Sequence, residues 1–124
     1  MIQHIGLTVA NVSELKEFYE KVLLLIPQYQ FKVDKSLAFN LFGVEREVDV
    51  FMMSYQSMSF EIFIDDDICS SSFAHVCLTY KQSELLYSRA QASGYRAIKK
   101  TSRNGYTYFI WDKSGNIFEI KEIM

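Results

Sequence analysis

Apolar and polar residues alternate along two segments of the chain, one at its start and one past its middle. From residue 5 to residue 9 every second side chain is apolar, which predicts a strand through residues 2–9 with two unlike faces. One face carries Ile5, Leu7 and Val9, and the other carries His4, Gly6 and Thr8. The same alternation in Phe73 to Tyr80 predicts a matching strand, on which His75, Cys77 and Thr79 share a face.

After each of these two strands, the apolar residues are spaced as on one face of a helix. Apolar residues at intervals of three and four predict a helix from about Ser13 to Leu25 that stops near Pro27, and a second from about Ser83 to Ser93 that ends at Gly94. Runs rich in aromatic and β-branched residues predict the remaining strands. These run through Tyr29–Val33 with Leu37–Phe42, Val48–Ser54, Met58–Ile64, Arg96–Lys100, Tyr106–Trp111 and Ile117–Ile123.

Each half of the chain therefore reads as strand, helix, strand, strand, strand. We predict an α+β fold in which residues 1–124 form one domain of two βαβββ modules. Module one covers about 1–66 and module two about 73–124, joined by a polar linker of about 65–72. Four strands and one helix leave one sheet face uncovered in each module, so the paired modules must enclose packed side chains or a cavity.

The two halves also repeat in sequence. Residues 3–9 resemble residues 74–80, and Phe-Glu-Ile occurs at residues 60–62 and again at 118–120. The repeat contains the only two histidines, His4 and His75, and the glutamates Glu61 and Glu119. Strand parity places all four on the face opposite the apolar layer. Imidazole and carboxylate ligands suit one divalent ion of Zn, Ni, Co, Mn or Fe better than calcium. The alternative is four ordinary surface residues, with Lys121 as an exposed partner of Glu119.

The amino-acid composition argues against several classes of function. With 13 basic and 15 acidic residues and a net charge of −2, the chain is not expected to bind nucleic acid. It contains no apolar run of membrane-spanning length, and its start lacks the pattern of a secretory signal, so we expect a cytoplasmic protein without a membrane partner. Cys69 and Cys77 are too few for a disulfide framework and are expected to be free thiols, Cys77 as a small core or pocket residue.

Four segments resemble the vicinal oxygen chelate superfamily, which includes glyoxalase I, epimerases, extradiol dioxygenases and the fosfomycin and bleomycin resistance proteins. They are residues 4–9, residues 18–23 of the first helix, residues 73–76, and Trp111 to Ile120 at the end. The resemblance covers nearly the whole chain. It implies that the paired modules form a cup-shaped mixed sheet with helices on its outer face, and that the protein is a homodimer.

The resemblance also implies a site. His4, Glu61, His75 and Glu119 match the metal-ligand positions, and a four-ligand set is similar to glyoxalase I-like lyases. In such chemistry a divalent ion stabilises an enediolate while Glu61 or Glu119 shuttles a proton, and the sequence leaves open which glutamate is the base. Thr8 stands where glutathione-dependent glyoxalases carry arginine, so glutathione dependence is not expected.

Two functions follow. The first is a metal-dependent glyoxalase-like lyase or isomerase acting on a small α-hydroxycarbonyl or related oxygen-chelating substrate. The second is a non-catalytic protein that binds a small molecule, of the antibiotic-resistance type, in the same cup. Several aromatic residues and an arginine could line such a pocket, although each is also typical of a sheet core. These are Phe39, Phe51, Phe63, Tyr106, Tyr108 and Arg103.

Overall fold

The structure, a computed structural model, describes residues 1–67, 73–103 and 105–123, without the side chain of residue 102. Cys69, the predicted free thiol, and most of the predicted linker lie outside the described residues. The chain divides into two compact units, Met1–Ile68 and Cys69–Met124. Each unit is described by itself, and the prediction that they make one domain stays a prediction.

The first unit contains four strands and two helical segments. In chain order these are β1 (Ile5–Val9), a π-helix (Leu15–Glu20), β2 (Ile26–Val33), α1 (Lys35–Phe42), β3 (Val48–Tyr55) and β4 (Met58–Ile64). The strands form one sheet in the order β1-β4-β3-β2. β1 runs parallel to β4, and the other two pairings are antiparallel. The sheet is therefore mixed.

The second unit repeats this sheet. Its elements are β5 (Val76–Tyr80), α2 (Ser83–Ala92), β6 (Ala97–Ser102), β7 (Gly105–Trp111) and β8 (Ile117–Glu122). The strand order β5-β8-β7-β6 corresponds to that of the first sheet, and β5 is again parallel to β8. The predicted α+β class with two βαβββ modules is confirmed.

The closing strands bury one face and leave the other partly open. Phe60 and Ile62 of β4 are almost fully buried, as are Phe118 and Ile120 of β8. In each strand the glutamate between the two buried residues keeps about a fifth of its side chain exposed. Because side chains alternate across a strand, each glutamate faces away from the two buried residues that flank it, as the sequence predicts. In the first unit the face of Glu61 also carries Phe63, which packs against the apolar cluster of α1.

One predicted strand is wrong. The segment Leu37–Phe42 lies within helix α1, which begins where the Asp34 side chain accepts a 2.8 Å hydrogen bond from the Leu37 amide. The helix ends at Gly43, whose φ of 72° terminates it in a left-handed conformation. Ala38 is buried in an apolar cluster with strand residues. The cluster also contains Val33, Val48 and Val50, with Phe31, Val44 and Phe63 packed against it.

The first helical segment is shorter than predicted. Its regular part ends at Glu20, and the Lys21 amide donates to the carbonyl of Lys16, five residues earlier. Leu24 then adopts a φ of 63°, and β2 begins at Ile26. Pro27 therefore lies in a strand and not beyond a helix. Proline has no amide hydrogen to donate to a neighbouring strand. Its position in β2 is tolerated because β2 is at the edge of its sheet and the pairing register shifts after Pro27.

None of the helices among the described residues is long and apolar enough to cross a membrane.

Candidate metal centre

His4 and Glu61 form a close pair in the first unit. Glu61 lies in β4, where its partner in the parallel strand β1 is Gly6. β1 begins at Ile5, later than predicted, so His4 lies one residue before the strand. Its Nε2 atom is 3.2 Å from Oε1 of Glu61, with 41% of the histidine and 22% of the glutamate side chain exposed. The pair therefore lies where a ligand from solvent can reach it.

His75 and Glu119 form the corresponding pair in the second unit. His75 precedes β5 by one residue, and Glu119 of β8 is paired with Cys77 of β5. The His75 Nε2 atom lies 3.3 Å from Oε1 of Glu119. The other ring nitrogen, Nδ1, is 2.9 Å from the carbonyl oxygen of Phe73. A carbonyl only accepts hydrogen bonds, so Nδ1 is the donor in this contact, and Nε2 is the ring atom that faces Glu119.

The spacing of the two pairs fits ligands that share a cation. Charge-assisted hydrogen bonds between nitrogen and a carboxylate are usually about 2.7–2.9 Å long, shorter than either pair. Consider two ligand atoms that are each about 2.1 Å from the same metal ion. They lie about 3.0 Å from each other if the ligand–metal–ligand angle is a right angle, and about 3.4 Å if it is tetrahedral. The observed 3.2 and 3.3 Å fall within that interval. The imidazole and carboxylate atoms present therefore suit a divalent transition metal.

Within the residues that the structure describes, these ligands occur as two separate imidazole–carboxylate pairs. In the described parts of the chain no group of three or more His, Cys, Asp or Glu side chains is placed to hold a metal ion. We call the His4–Glu61 pair the first half-site and the His75–Glu119 pair the second half-site. The predicted four-ligand centre stays a prediction, whereas each predicted imidazole does lie beside the glutamate of its own module.

The carboxylates of the two half-sites have different neighbours. Lys121 places its Nζ atom 3.6 Å from Oε2 of Glu119, the contact expected from the sequence. Partial burial of the Cys77 thiol and the negative charge of the neighbouring Glu119 carboxylate raise the pKa of the thiol. Cys77 is exposed and is therefore not a core residue. Its raised pKa keeps the thiol protonated and a poor nucleophile.

The corresponding neighbours of Glu61 are smaller or apolar. Gly6 occupies the position of Cys77, and Phe63 occupies that of Lys121. A Cβ atom added to Gly6 would lie 3.5 Å from the Phe63 ring, so the space beside the carboxylate has an aromatic wall.

The role of the Phe73 carbonyl in the second half-site could not be read from the sequence, because a backbone oxygen carries no residue-specific signal.

Most of the aromatic residues proposed as a pocket lining lie elsewhere. Phe63 shares the face of Glu61 and contacts Phe42 of α1, with ring centroids 5.3 Å apart. Phe51 pairs with Ile62 and Tyr108 with Ile120, so both lie on the opposite face from the glutamates. Phe39 is an exposed residue of α1. Tyr106, Tyr108 and Arg103 instead line a cavity of about 500 Å³ near the start of α2, together with Ser83, Glu84, Lys121 and Glu122.

Residues 1–120 match the family model described as Glyoxalase/Bleomycin resistance protein/Dioxygenase superfamily. The chain belongs to this superfamily. Its members include enzymes and resistance proteins, and the match covers both half-sites. No curated protein sequence matches the chain significantly.

Solved structures of the superfamily have the same fold. A glyoxalase family protein from Enterococcus faecalis is 17% identical, with a TM-score of 0.71 over 97% of this chain and 95% of its own. The fosfomycin resistance protein FosX from Listeria monocytogenes, in complex with Mn(II) and sulfate, is 15% identical, with a TM-score of 0.74 over 100% and 93%. FosX from Mesorhizobium loti is 14% identical, with a TM-score of 0.70 over 97% and 89%. At these identities the likeness concerns the fold.

Proposed function

We propose that the protein is a metal-dependent glyoxalase-like lyase or isomerase that acts on a small α-hydroxycarbonyl or related oxygen-chelating substrate. The observation that carries the proposal is the duplicated half-site, because each module presents an imidazole nitrogen within 3.3 Å of a carboxylate oxygen. Members of the superfamily bind divalent metals, as FosX from Listeria monocytogenes binds Mn(II).

The proposed ligands are His4, Glu61, His75 and Glu119. Two ligands alone hold a transition metal weakly, whereas catalytic sites commonly use three or more protein ligands. Both half-sites together supply four. They can combine on one ion within a chain, or between two chains of the homodimer that the family resemblance implies. Zn, Ni, Co, Mn and Fe can all be bound by this set of ligands, so the ligand types do not identify the metal.

The proposed roles follow from the donor chemistry. When bound, the metal would supply positive charge that lowers the free energy needed to remove a proton beside a substrate carbonyl. Glu61 and Glu119 are the groups in the half-sites that can accept such a proton and return it to a neighbouring atom. His4 and His75 would remain ligands through Nε2, with the Phe73 carbonyl fixing the tautomer of His75.

The test begins with metal content, measured by elemental mass spectrometry on tag-free protein purified without chelator. We expect near-stoichiometric metal in the wild type and little in the double variant His4→Ala, His75→Ala. Glu122→Gln is a matched control, since Glu122 is an exposed carboxylate on β8 outside both half-sites. Turnover of a panel of α-hydroxycarbonyl compounds should depend on the bound metal. Wild-type protein that holds no metal, even after reconstitution, would contradict the proposal.

A non-catalytic binding protein is the second candidate. A depression of about 350 Å³ in the first unit offers an apolar site for a small molecule, although Phe51 and Met53 in its lining lie on the sheet face opposite Glu61 and not beside the first half-site. Its lining includes Leu15, Pro27, Tyr29, Phe51 and Met53. For this candidate, binding of an aromatic antibiotic such as bleomycin should survive removal of metal by chelator, and isothermal titration calorimetry with and without chelator would show it. Affinity that disappears with the metal would count against a binding role.

The homodimer and the cytoplasmic location are further parts of the proposal. Sedimentation velocity across a range of protein concentrations tests the first, with a species of about twice the chain mass as the expected result. Fractionation of cells that express the tagged chain tests the second.

A further inference from the structure

The cavity near the start of α2 does not use the ligands of the second half-site. Its volume is about 500 Å³, and its lining comes from the start of α2, the beginning of β7 with the residue Arg103 before it, and the end of β8. Neither His75 nor Glu119 is in that lining. Small-molecule sites commonly have volumes of about 300–1,000 Å³. The cavity is therefore large enough for a ligand of its own.

Two of the charged side chains in the lining already have partners, and two do not. Oε1 of Glu84 lies 3.9 Å from Nζ of Lys99, and Nζ of Lys121 lies 3.6 Å from Oε2 of Glu119. Arg103 and Glu122 form no ion pair with any residue that the structure describes, although both line this cavity. The cavity thus presents one positive and one negative group that do not neutralise each other.

Part of the wall is apolar and open to solvent. Tyr106 and Ile123 line the cavity, and each is about half exposed. The Tyr106 ring belongs to a packed row, because its centroid lies 6.4 Å from that of Tyr108, which in turn lies 4.9 Å from that of Tyr87 in α2. An apolar group of a ligand can therefore bind against a ring that the fold holds in place.

Two hydroxyl-bearing residues of the lining are buried. Ser83 is 2% exposed and Tyr108 is 4% exposed. The Ser83 side chain makes no hydrogen bond with another described residue, so a polar group of a ligand would give it a partner. Burial raises the pKa of Tyr108, and the nearby carboxylates of Glu84 and Glu122 raise it further. The Tyr108 hydroxyl therefore stays protonated, within reach of the charge of Glu122.

We propose that this cavity binds a small zwitterion, an α-amino acid with an aromatic or large apolar side chain. Glu122 would accept hydrogen bonds from the ammonium group of the ligand, and the Arg103 guanidinium would bind its carboxylate, a pairing that can use two parallel hydrogen bonds. The side chain of the ligand would lie against Tyr106 and Ile123. The site goes beyond the proposed function and uses none of the proposed metal ligands.

The class of ligand follows from the two unpaired charges. An α-amino acid carries its ammonium and carboxylate on one carbon, so a single molecule can pair with both Arg103 and Glu122. A simple amine would leave the guanidinium unpaired and place a second positive charge beside it, and a simple carboxylate would do the same to Glu122. Each mismatch disfavours binding, because like charges repel and a desolvated charge needs a partner.

The first experiment measures ligand preference by isothermal titration calorimetry on the full chain. L-Phenylalanine and L-leucine are compared with 2-phenylethylamine, which lacks the carboxylate, 3-phenylpropionate, which lacks the ammonium, and glycine, which lacks the side chain. We expect phenylalanine to bind at least about tenfold more tightly than each of these three. Binding of neither phenylalanine nor leucine would overturn the proposal. So would equal affinity for phenylalanine and either singly charged analogue, which would indicate a simple cation or anion site.

The second experiment assigns the charges to residues. Arg103→Met should abolish the preference for phenylalanine over 2-phenylethylamine, and Glu122→Gln should abolish the preference over 3-phenylpropionate, because each variant removes the group that the missing ligand charge would contact. Lys113→Met and Glu17→Gln make the same changes of charge at exposed positions outside the cavity and should bind phenylalanine like the wild type. Circular dichroism checks that all four fold. Folded variants of Arg103 and Glu122 that keep the wild-type preferences would overturn the proposed site.

Discussion

Gly6 of β1 is paired directly with Glu61 of β4, so the position beside the carboxylate carries no side chain. The corresponding position in the second module holds Cys77, whose side chain lies beside Glu119. Two modules that share a topology and an imidazole–carboxylate spacing of 3.2 to 3.3 Å thus differ in the space beside the carboxylate. The open side is in the first module, beside Glu61.

Enlarging Gly6 should affect the substrate more than the metal. In Gly6→Ala the new Cβ lies 3.5 Å from the Phe63 ring, an ordinary contact, so stability and metal content should stay at wild-type values. In Gly6→Leu the longer side chain occupies the space beside Glu61, and we expect KM to rise by about an order of magnitude with bound metal retained. Steady-state kinetics and elemental mass spectrometry measure the two effects. Loss of metal in Gly6→Ala would show that the glycine serves the half-site itself.

Each histidine should be needed for metal. His4→Ala and His75→Ala both remove an imidazole ligand, and changes in second-shell partners alone lower metal affinity by about 10–100-fold. We therefore expect each single variant to lose more than about a hundredfold in Zn²⁺ affinity, measured by chelator competition. Glu122→Gln should bind like the wild type. A histidine variant that keeps wild-type affinity would exclude its half-site from the metal centre.

The sequence predicted the parts of the structure that repeat. Alternation placed Glu61 and Glu119 opposite the buried pairs of β4 and β8, and duplication identified the two histidines. The prediction of a strand in place of α1 followed its two phenylalanines, which favour strands, whereas its leucines and alanine favour a helix and the cap at Asp34 marks where that helix begins. Of the differences between the half-sites, the sequence predicted the contact of Lys121 with Glu119 but not that of His75 with the Phe73 carbonyl, because a backbone oxygen carries no residue-specific signal.

The cap of α1 can be tested by itself. The Asp34 carboxylate accepts the Leu37 amide hydrogen at 2.8 Å, and Asp34→Ala removes this acceptor. We expect the free energy of unfolding to fall by about 1 kcal/mol in Asp34→Ala and to change by only a few tenths in Asp34→Asn, because asparagine caps helices as well as aspartate does. Urea denaturation measures both. Equal losses in the two variants would mean that the carboxylate charge, and not the cap, is what stabilises α1.

Leu24 carries backbone strain at the end of the first helical segment. Its φ of 63° lies in the left-handed region, which costs a residue with a Cβ roughly 1–2 kcal/mol and glycine almost nothing. Leu24→Gly should therefore be more stable than Leu24→Ala by about 1 kcal/mol. Both variants lose the same leucine side chain, so the difference isolates the backbone. Urea denaturation of the pair measures it, and an alanine variant as stable as the glycine variant would contradict the strain.

The stability contributed by Asp65 should depend on pH. Asp65 follows β4, and its Oδ1 lies 2.7 Å from the Arg46 guanidinium and accepts the Asp67 amide at 3.0 Å. Burial acts to raise the pKa of this carboxyl, but the Asp67 amide and Arg46 together hold it below its ordinary value of 3.8. A pKa that is lower in the folded than in the unfolded state stabilises the fold above the unfolded value, and the effect is lost as pH falls through the folded value.

We expect Asp65→Asn to lower the free energy of unfolding by about 1 kcal/mol at pH 7, because it removes a charge-assisted contact from a side chain that is only 18% exposed. The difference from the wild type should shrink as pH falls below the ordinary carboxyl pKa of 3.8, because the native carboxyl is progressively protonated as pH falls through its lower folded pKa. Urea denaturation at several pH values measures this. Asp66→Asn, at the exposed neighbouring position, should change little at any pH. If Asp65→Asn lowers the free energy of unfolding equally at pH 7 and pH 2, then Asp65 stabilises the fold through its shape and not through its charge.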